Sequence, residues 1–215
     1  MYLIATRPDL AFVVSLISRF MERPTELHQQ VVKRVLRYIK GTTELGISYQ
    51  RGEEEKLAAY TDSNYAGDTE DRKSTSGYAF LLSSGAVAWS SKKQPVVTLS
   101  TTEAEFIAAA SCACQSIWMR RILDVLGLEQ SKCTDIFCDN SSTIKLSKNP
   151  VMHGRSKHID VRFHFLRDLT MDGIVKLEYC GSKDQLADIM TKPLTLEVFT
   201  RLRELLGVCM APNVN

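Results

Sequence analysis

The spacing of hydrophobic residues along the chain changes near residue 45. Before that point, apolar residues recur at helical spacing in two runs, which Arg23-Pro24 separates and Gly41 ends. This pattern predicts a helical hairpin. From there to residue 94 the apolar residues form short runs typical of strands, at 46–49, 57–62, 77–82 and 86–90, and Ser83-Ser84-Gly85 is a turn signal between the last two.

The second half of the chain alternates between helical and strand-like patterns. A long helix is predicted from Thr101-Thr102 to Gly127. The later segments follow it in order: a strand at 135–138, a helix that Pro150 ends, a helix at about 159–169, a strand at 174–179 and a helical segment at 184–207 with a break at Pro193. Strands followed by such an alternation predict an α/β fold with a mixed sheet flanked by helices. We expect a helical region at 1–45 and an α/β domain at 46–215.

Composition narrows the class of protein. The chain has 215 residues, of which 44% are hydrophobic and 24% charged, so we expect a globular core rather than a disordered chain. No apolar run approaches the length of a membrane span, and the N-terminus lacks a signal peptide, so we expect an intracellular protein without a membrane partner. The six cysteines form no C-x-x-C pair, which favours buried free thiols and a reducing compartment.

The net charge of +2 gives no argument for a nucleic-acid partner, which would have to bind local basic patches. One such patch contains Lys92 and Lys93, next to the end of a predicted strand, and another is the polar face of the second helix. Each is a candidate for contact with a phosphate backbone, and each is also explained as an ordinary solvated surface.

Four acidic residues lie beside apolar segments: Asp62, Glu105, Asp139 and Asp188. Taken singly, each has an ordinary explanation as a cap or a surface residue of a helix. Taken together, two of them leave the carboxyl ends of separate strands and two come from helices that can pack against the same edge of the sheet. Clustered carboxylates repel one another unless cations neutralise them, and Mg²⁺ or Mn²⁺ prefers oxygen ligands. We therefore predict that the four acids converge on two divalent ions.

A series of short blocks spans the chain: Tyr65-Ala66-Gly67-Asp68, Arg72-Lys73-Ser74-Thr75-Ser76-Gly77-Tyr78, Trp89-Ser90-Ser91-Lys92-Lys93-Gln94, Leu99-Ser100-Thr101-Thr102-Glu103-Ala104-Glu105-Phe106, Cys138-Asp139-Asn140, Lys157-His158-Ile159-Asp160 and Gln185-Leu186-Ala187-Asp188-Ile189-Met190-Thr191-Lys192-Pro193-Leu194. In this order they resemble the RNase H domain of copia-type LTR retrotransposon Pol polyproteins. Ala5-Thr6-Arg7-Pro8-Asp9-Leu10 and Val35-Leu36-Arg37-Tyr38-Ile39-Lys40-Gly41-Thr42 resemble the preceding tail of the reverse transcriptase.

The resemblance implies an RNase H-like mixed five-stranded sheet and hydrolysis of the RNA strand of an RNA·DNA hybrid. It also implies roles by position. Asp62 matches the first-strand aspartate that bridges both metals, and Asp139 matches the second-strand aspartate. Glu105 matches the helix glutamate, with Glu103 as the reserve. Asp188 matches the late aspartate near the attacking water.

Further residues are candidates for contact with the hybrid: Ser63, Asn64, Lys93, Asn140, Ser141 and His158. Cellular relatives often carry a histidine on a loop before the last aspartate. Residues 180–184 contain none, so His158 is a candidate substitute, and a loop histidine without a catalytic role is an equal alternative. The reverse transcriptase portion of the same polyprotein is a second candidate partner. The compartment would then be the cytoplasm, in a virus-like particle, or the nucleus.

Other functions remain open. A chain that begins inside the polymerase is expected to lack polymerase activity and to be a fragment or a decayed genomic copy. A catalytically inactive remnant that only binds nucleic acid or tethers protein is therefore the main alternative. An integrase-like or exonuclease relative is disfavoured, because the last acid lies in Leu186-Ala187-Asp188 on a predicted late helix.

Overall fold

The computed structural model describes residues 2–50, 55–148 and 160–210. The N-terminal region contains α1 (Tyr2–Thr6), a 3₁₀ turn (Pro8–Leu10), α2 (Ala11–Ser18) and α3 (Glu26–Lys40). Thr25 caps α3, because its side chain accepts a hydrogen bond from the backbone N–H of His28, and Gly41 follows the last turn. The predicted N-terminal helices are confirmed.

A five-stranded mixed sheet forms the centre of the protein. After the short β1 (Leu45–Ile47) come β2 (Leu57–Asn64), β3 (Thr75–Leu82), β4 (Gly85–Lys93), β5 (Thr134–Cys138) and β6 (Val175–Tyr179). The order across the sheet is β4-β3-β2-β5-β6. The pairs β2–β3 and β3–β4 are antiparallel, whereas β2–β5 and β5–β6 are parallel. This order and these directions confirm the expected RNase H-like fold.

Helices cover both faces of the sheet. On one face lie α4 (Thr101–Val125), α5 (Ser141–Lys148) and α6 (Asp160–Met171), over a core that includes the buried Phe80, Phe106 and Ile136. The other face carries a 3₁₀ helix (Leu186–Met190) and α7 (Leu196–Leu205). Ala79 faces this second layer, as strand alternation requires, since the next residue of β3 faces the first.

The N-terminal helices pack on the second layer. Ala11 of α2 belongs to the same buried cluster as Ala79 and Leu202. Tyr38 of α3 meets the ring of Phe199 of α7 edge-on, with ring centroids 5.7 Å apart. Apolar contacts therefore join residues 1–45 to the α/β layer. The boundary near residue 45 stays a prediction.

Two details differ from the sequence interpretation. The predicted strand at 46–49 is β1, which lies outside the main sheet and pairs antiparallel with β7 (Val208–Met210). The predicted helical segment at 184–207 is interrupted around Pro193, as expected, with the 3₁₀ helix before it and α7 after it, but its first part is a 3₁₀ helix and a left-handed Gly207 with a φ of 81° leads into β7. Within the described residues, no helix has both the length and the apolar character needed to cross a membrane.

Candidate active site

The two parallel strands β2 and β5 bring the first pair of acids together. Their register pairs Ala58 with Asp135 and Tyr60 with Phe137. Continuing that register by two residues places Asp139 beside Asp62, because side chains two residues apart share a face. Asp62 is only 2% exposed, whereas Asp139 is half-buried and accepts a hydrogen bond from the hydroxyl of Ser182.

Glu105 approaches this edge from the first turns of α4. The backbone N–H of Ser63 donates to Glu105 Oε1 at 3.1 Å, so the glutamate lies against the residue that follows Asp62. Ligand atoms of Glu105, Cys138 and Asp139 all lie within 4.8 Å of one another. Helix α4 fixes this position because Ser100 caps its N-terminus, accepting from the N–H of Glu103 at 3.1 Å.

Asp188 reaches the same edge from the 3₁₀ helix. It shares a counter-ion with Asp62: Lys192 Nζ lies 2.8 Å from Asp188 Oδ1 and 3.6 Å from Asp62 Oδ2. The hydroxyl of Thr191 also donates to Asp62 Oδ2. The structure thus brings all four predicted acids together at one edge of the sheet, from four different elements.

Burial and mutual repulsion change the acidity of the cluster. Burial, followed by the charges of Asp62 and Asp139, raises the pKa of Glu105 to about 9. Burial also raises the pKa of Asp188 to about 6, with the charge of Asp62 as the next cause. The pKa of Asp62 is raised by burial too, against the opposing effect of Lys192. Without additional positive charge, these carboxyl groups tend to retain protons.

The donor set fits a hard divalent cation. Asp188 Oδ1 is buried and faces the ammonium of Lys192 at 2.8 Å. This carboxylate oxygen becomes available as a ligand when the ammonium moves away. Oxygen atoms of Asp62, Glu105, Asp139 and Asp188 are the ligands that Mg²⁺ and Mn²⁺ prefer, whereas the nearby thiol of Cys138 is a softer donor.

Comparison with known proteins shows which polyproteins the chain resembles. The retrovirus-related Pol polyprotein from transposon TNT 1-94 of Nicotiana tabacum is 43% identical over 206 residues, which are 96% of this chain and 15% of that polyprotein. The corresponding polyprotein from transposon RE1 of Arabidopsis thaliana is 40% identical over 211 residues, 98% of this chain and 14% of the relative. Over almost its whole length, the chain is similar to one segment of retrovirus-related Pol polyproteins of transposons.

This Pol segment spans about 15% of the length of these relatives. No family model matches it. Among solved structures, the N-terminal RNase H domain of a Mycobacterium tuberculosis protein is similar, with a TM-score of 0.48 and 10% identity over 69% of this chain and 96% of the other. The order and pairing of the strands define the fold.

Several predicted substrate contacts of the Pol segment already have partners inside the protein. Asn64 donates to the carbonyl of Thr191 at 2.9 Å and accepts from the N–H of Thr75 at 2.6 Å. Lys93 Nζ lies 2.7 Å from Asp68 and 2.9 Å from Asp71. A hybrid would have to compete with these contacts.

The other predicted contacts lie closer to the acids or outside the described residues. Ser63 accepts a hydrogen bond from Gln94 at 3.2 Å, next to Glu105. Asn140 caps α5, since its Oδ1 accepts from a backbone N–H at 3.0 Å, and Ser141 begins that helix with an exposed side chain. His158 falls outside the part of the chain that the structure describes, so its role stays a prediction.

Two residues of the site were missed by the sequence interpretation of the Pol segment. Lys192 pairs with two of the acids, and Gln94 donates from Nε2 to Ser63, Ser76 and the carbonyl of Ala104. Both lie in blocks that carry the family resemblance. The available signal for Lys192 was its position four residues after Asp188, where side chains meet on a helical turn.

Proposed function

We propose that this Pol segment is a metal-dependent endonuclease that hydrolyses the RNA strand of RNA·DNA hybrids. The observation that supports it best is the meeting of four carboxylates from β2, α4, the end of β5 and the 3₁₀ helix, at the carboxyl edge of two parallel strands. Three of these acids are almost fully buried: Asp62, Glu105 and Asp188. Burying several carboxylates so close together is energetically unfavourable unless cations neutralise their charge.

We assign the metal site to Asp62, Glu105, Asp139 and Asp188, holding two Mg²⁺ or Mn²⁺ ions. Such a pair supplies activation of the attacking water and stabilisation of the leaving 3′ oxygen. We assign Asp62, the most buried of the four, to both ions, because its charge acts on Glu105 and it shares Lys192 with Asp188. We assign Asp188 to the ion nearest the attacking water, as the family resemblance implies.

Selection of RNA is assigned to polar groups beside the acids. The RNA strand differs from DNA by its 2′-hydroxyl groups, which donate and accept hydrogen bonds. Asn140 and Ser141 are the most accessible candidates, because they follow Asp139 directly and Ser141 is exposed. Ser63 and Asn64 follow Asp62 and form hydrogen bonds with Gln94 and Thr191, so we assign them to positioning of the site.

Two further assignments concern loops and partners. We retain His158 as a candidate proton carrier in turnover; a His158→Ala variant with unchanged turnover and pH profile would remove it. The N-terminal helices are assigned to the junction with the reverse transcriptase portion of the polyprotein, because the similarity to the Pol relatives extends over them. Pull-down of the purified polymerase portion by the chain, lost on deletion of α1–α3, tests this junction.

A cleavage assay tests the proposal. An end-labelled RNA·DNA hybrid, incubated with the protein and Mg²⁺, should be cut in the RNA strand, and chelation should stop the reaction. Asp62→Asn should lose activity. Asp135→Asn should retain it, because Asp135 lies near the start of β5, away from the acids at the other end of the strand, and pairs with Lys56. A DNA·DNA duplex should remain intact.

The assay also separates the proposal from its alternatives. Binding of the hybrid without cleavage above the Asp62→Asn level would leave an inactive, nucleic-acid-binding remnant. Cutting of the DNA duplex at the same rate would indicate an exonuclease-like or integrase-like activity instead.

A further inference from the structure

Lys192 occupies an unusual position for a lysine in this site. Its ammonium is 2.8 Å from Asp188 Oδ1 and 3.6 Å from Asp62 Oδ2, and its side chain is 38% exposed. These two oxygens belong to the proposed metal ligands. The lysine is therefore a cation supplied by the chain itself at the point where a divalent cation would bind.

The backbone under Lys192 is held firmly. The N–H groups of Thr191 and Lys192 both donate to the carbonyl of Asp188, at 3.1 and 3.2 Å. The carbonyl of Thr191 accepts from Asn64 on β2, and its hydroxyl donates to Asp62. Pro193 follows and restricts the chain further. The ammonium can leave the acids by changing side-chain rotamers, but its point of attachment stays beside them.

Lys192 and a divalent cation would compete for the same two carboxylates. An ammonium and a divalent cation repel each other, and both are attracted to the same carboxylate pair in a partly buried region where Coulomb interactions are stronger than in water. Among the described residues, Lys192 is the cation that pairs with Asp62 and Asp188, so its removal in the absence of metal takes from these buried acids the positive partner seen there, which is unfavourable. Binding of a divalent ion at Asp188 Oδ1 requires the lysine to move away.

We propose that Lys192 is an internal counter-ion that competes with the divalent metal for Asp62 and Asp188 and thereby sets the metal affinity of the site. This inference rests on the proposed metal-dependent function. The lysine stabilises the metal-free protein and weakens metal binding, so the site fills only when the metal concentration is high enough to displace it.

Substitution at Lys192 tests the competition through metal binding rather than turnover. Lys192→Met keeps the length of the side chain and removes the charge. We expect Mg²⁺ to bind about tenfold more tightly by isothermal titration calorimetry, from the loss of one partly exposed like charge. In chelator the variant should have a lower melting temperature than wild type, and saturating Mg²⁺ should raise that temperature by more than it does in wild type.

Further variants control for charge and folding. Lys192→Arg keeps the charge and should bind Mg²⁺ within about twofold of wild type. Lys56→Met removes a lysine that pairs with Asp135 at 2.6 Å, far from the acids, and should leave the affinity unchanged. If Lys192→Met does not fold, Lys192→Gln provides a neutral polar replacement and should show the same tightening.

The outcomes distinguish this inference from the function on which it rests. Wild-type protein that binds Mg²⁺, together with neutral Lys192 variants of unchanged or weaker affinity, would overturn the competition and leave the nuclease proposal in place. Wild-type protein that binds no Mg²⁺ at any concentration and cuts no hybrid would overturn both. Tighter binding in Lys56→Met as well would also overturn the inference, because the effect would then be one of net charge.

Discussion

Replacement of Arg7 by methionine should strongly destabilise the protein. The guanidinium donates to both oxygens of Asp9, at 2.7 and 3.0 Å, and to the carbonyl of Thr42 at 3.1 Å. Both partners of the ion pair are buried, with Arg7 7% and Asp9 3% exposed. The hydroxyl of Tyr38 also donates to Asp9 at 2.7 Å, and Arg203 of α7 donates to that hydroxyl at 3.2 Å. The network thus joins the N-terminal helices to the α/β layer.

The expected cost follows from the carboxylate that Arg7 leaves behind. Removing one partner of a buried ion pair typically costs about 3–5 kcal/mol, because the other charge stays buried. Asp9 keeps one hydrogen bond from Tyr38, so we expect the lower end, about 3 kcal/mol for Arg7→Met. The double variant Arg7→Met with Asp9→Asn leaves no buried carboxylate without its partner. Its loss of unfolding free energy should therefore be smaller than the sum of the losses of the two single variants.

Urea unfolding measures these losses. Unfolding should be one cooperative transition when it is followed by circular dichroism and by Trp89 fluorescence, since Trp89 lies in β4 and donates to the carbonyl of Ile4. The free energy of unfolding from this transition should be lower in Arg7→Met than in wild type. Lys33→Met, at an exposed position of α3, should leave the transition unchanged. A loss below about 1 kcal/mol for Arg7→Met, or a separate early transition of the helices, would refute the reasoning.

Two further predictions follow from the site and its packing. In chelator, the free energy of unfolding should fall as the pH rises between about 5 and about 9, because the raised pKa of Glu105, about 9, makes the folded protein bind more protons than the unfolded chain in that range. Urea unfolding of Glu105→Gln should show a flatter pH dependence, and an equally steep curve would contradict the prediction. Gly77→Ala should lower the free energy of unfolding by about 1–3 kcal/mol and reduce cleavage, because a Cβ there would lie 2.5 Å from Met190 Cβ and 2.7 Å from Thr191 Cγ2. Gly46→Ala, where the added Cβ has no atom within 4 Å, should lower the free energy of unfolding much less, and equal losses in the two variants would contradict the packing argument.

Much of the fold could be predicted because its signals are local. Alternating apolar residues and the turn at 83–85 mark β3 and β4, and Gly41 and Gly127 mark the ends of helices. The small sheet could not be predicted. The segment 208–210 has only three residues and begins shortly after α7 ends. Its strand conformation depends on pairing with residues 45–47, which are distant in the sequence.

The site shows the same division between local and distant signals. The acids could be selected because they follow apolar strands or begin helices, and the structure brings them together, although their roles stay predictions. The ion pairs of Lys192 with Asp62 and of Lys93 could not be predicted from the sequence. Lys192 has Asp62 as its second partner, and Lys93 pairs with Asp68 and Asp71 across a connection between strands. Such contacts depend on the completed sheet.

The most direct test of the central claim is anomalous diffraction from crystals of the protein soaked in Mn²⁺. The proposed metal site should give two strong manganese peaks at the edge of β2 and β5, with carboxylate oxygens of Asp62, Glu105, Asp139 and Asp188 as ligands and Lys192 displaced from Asp188. Absence of any manganese peak among these four acids at saturating Mn²⁺, or peaks only elsewhere on the protein, would contradict it.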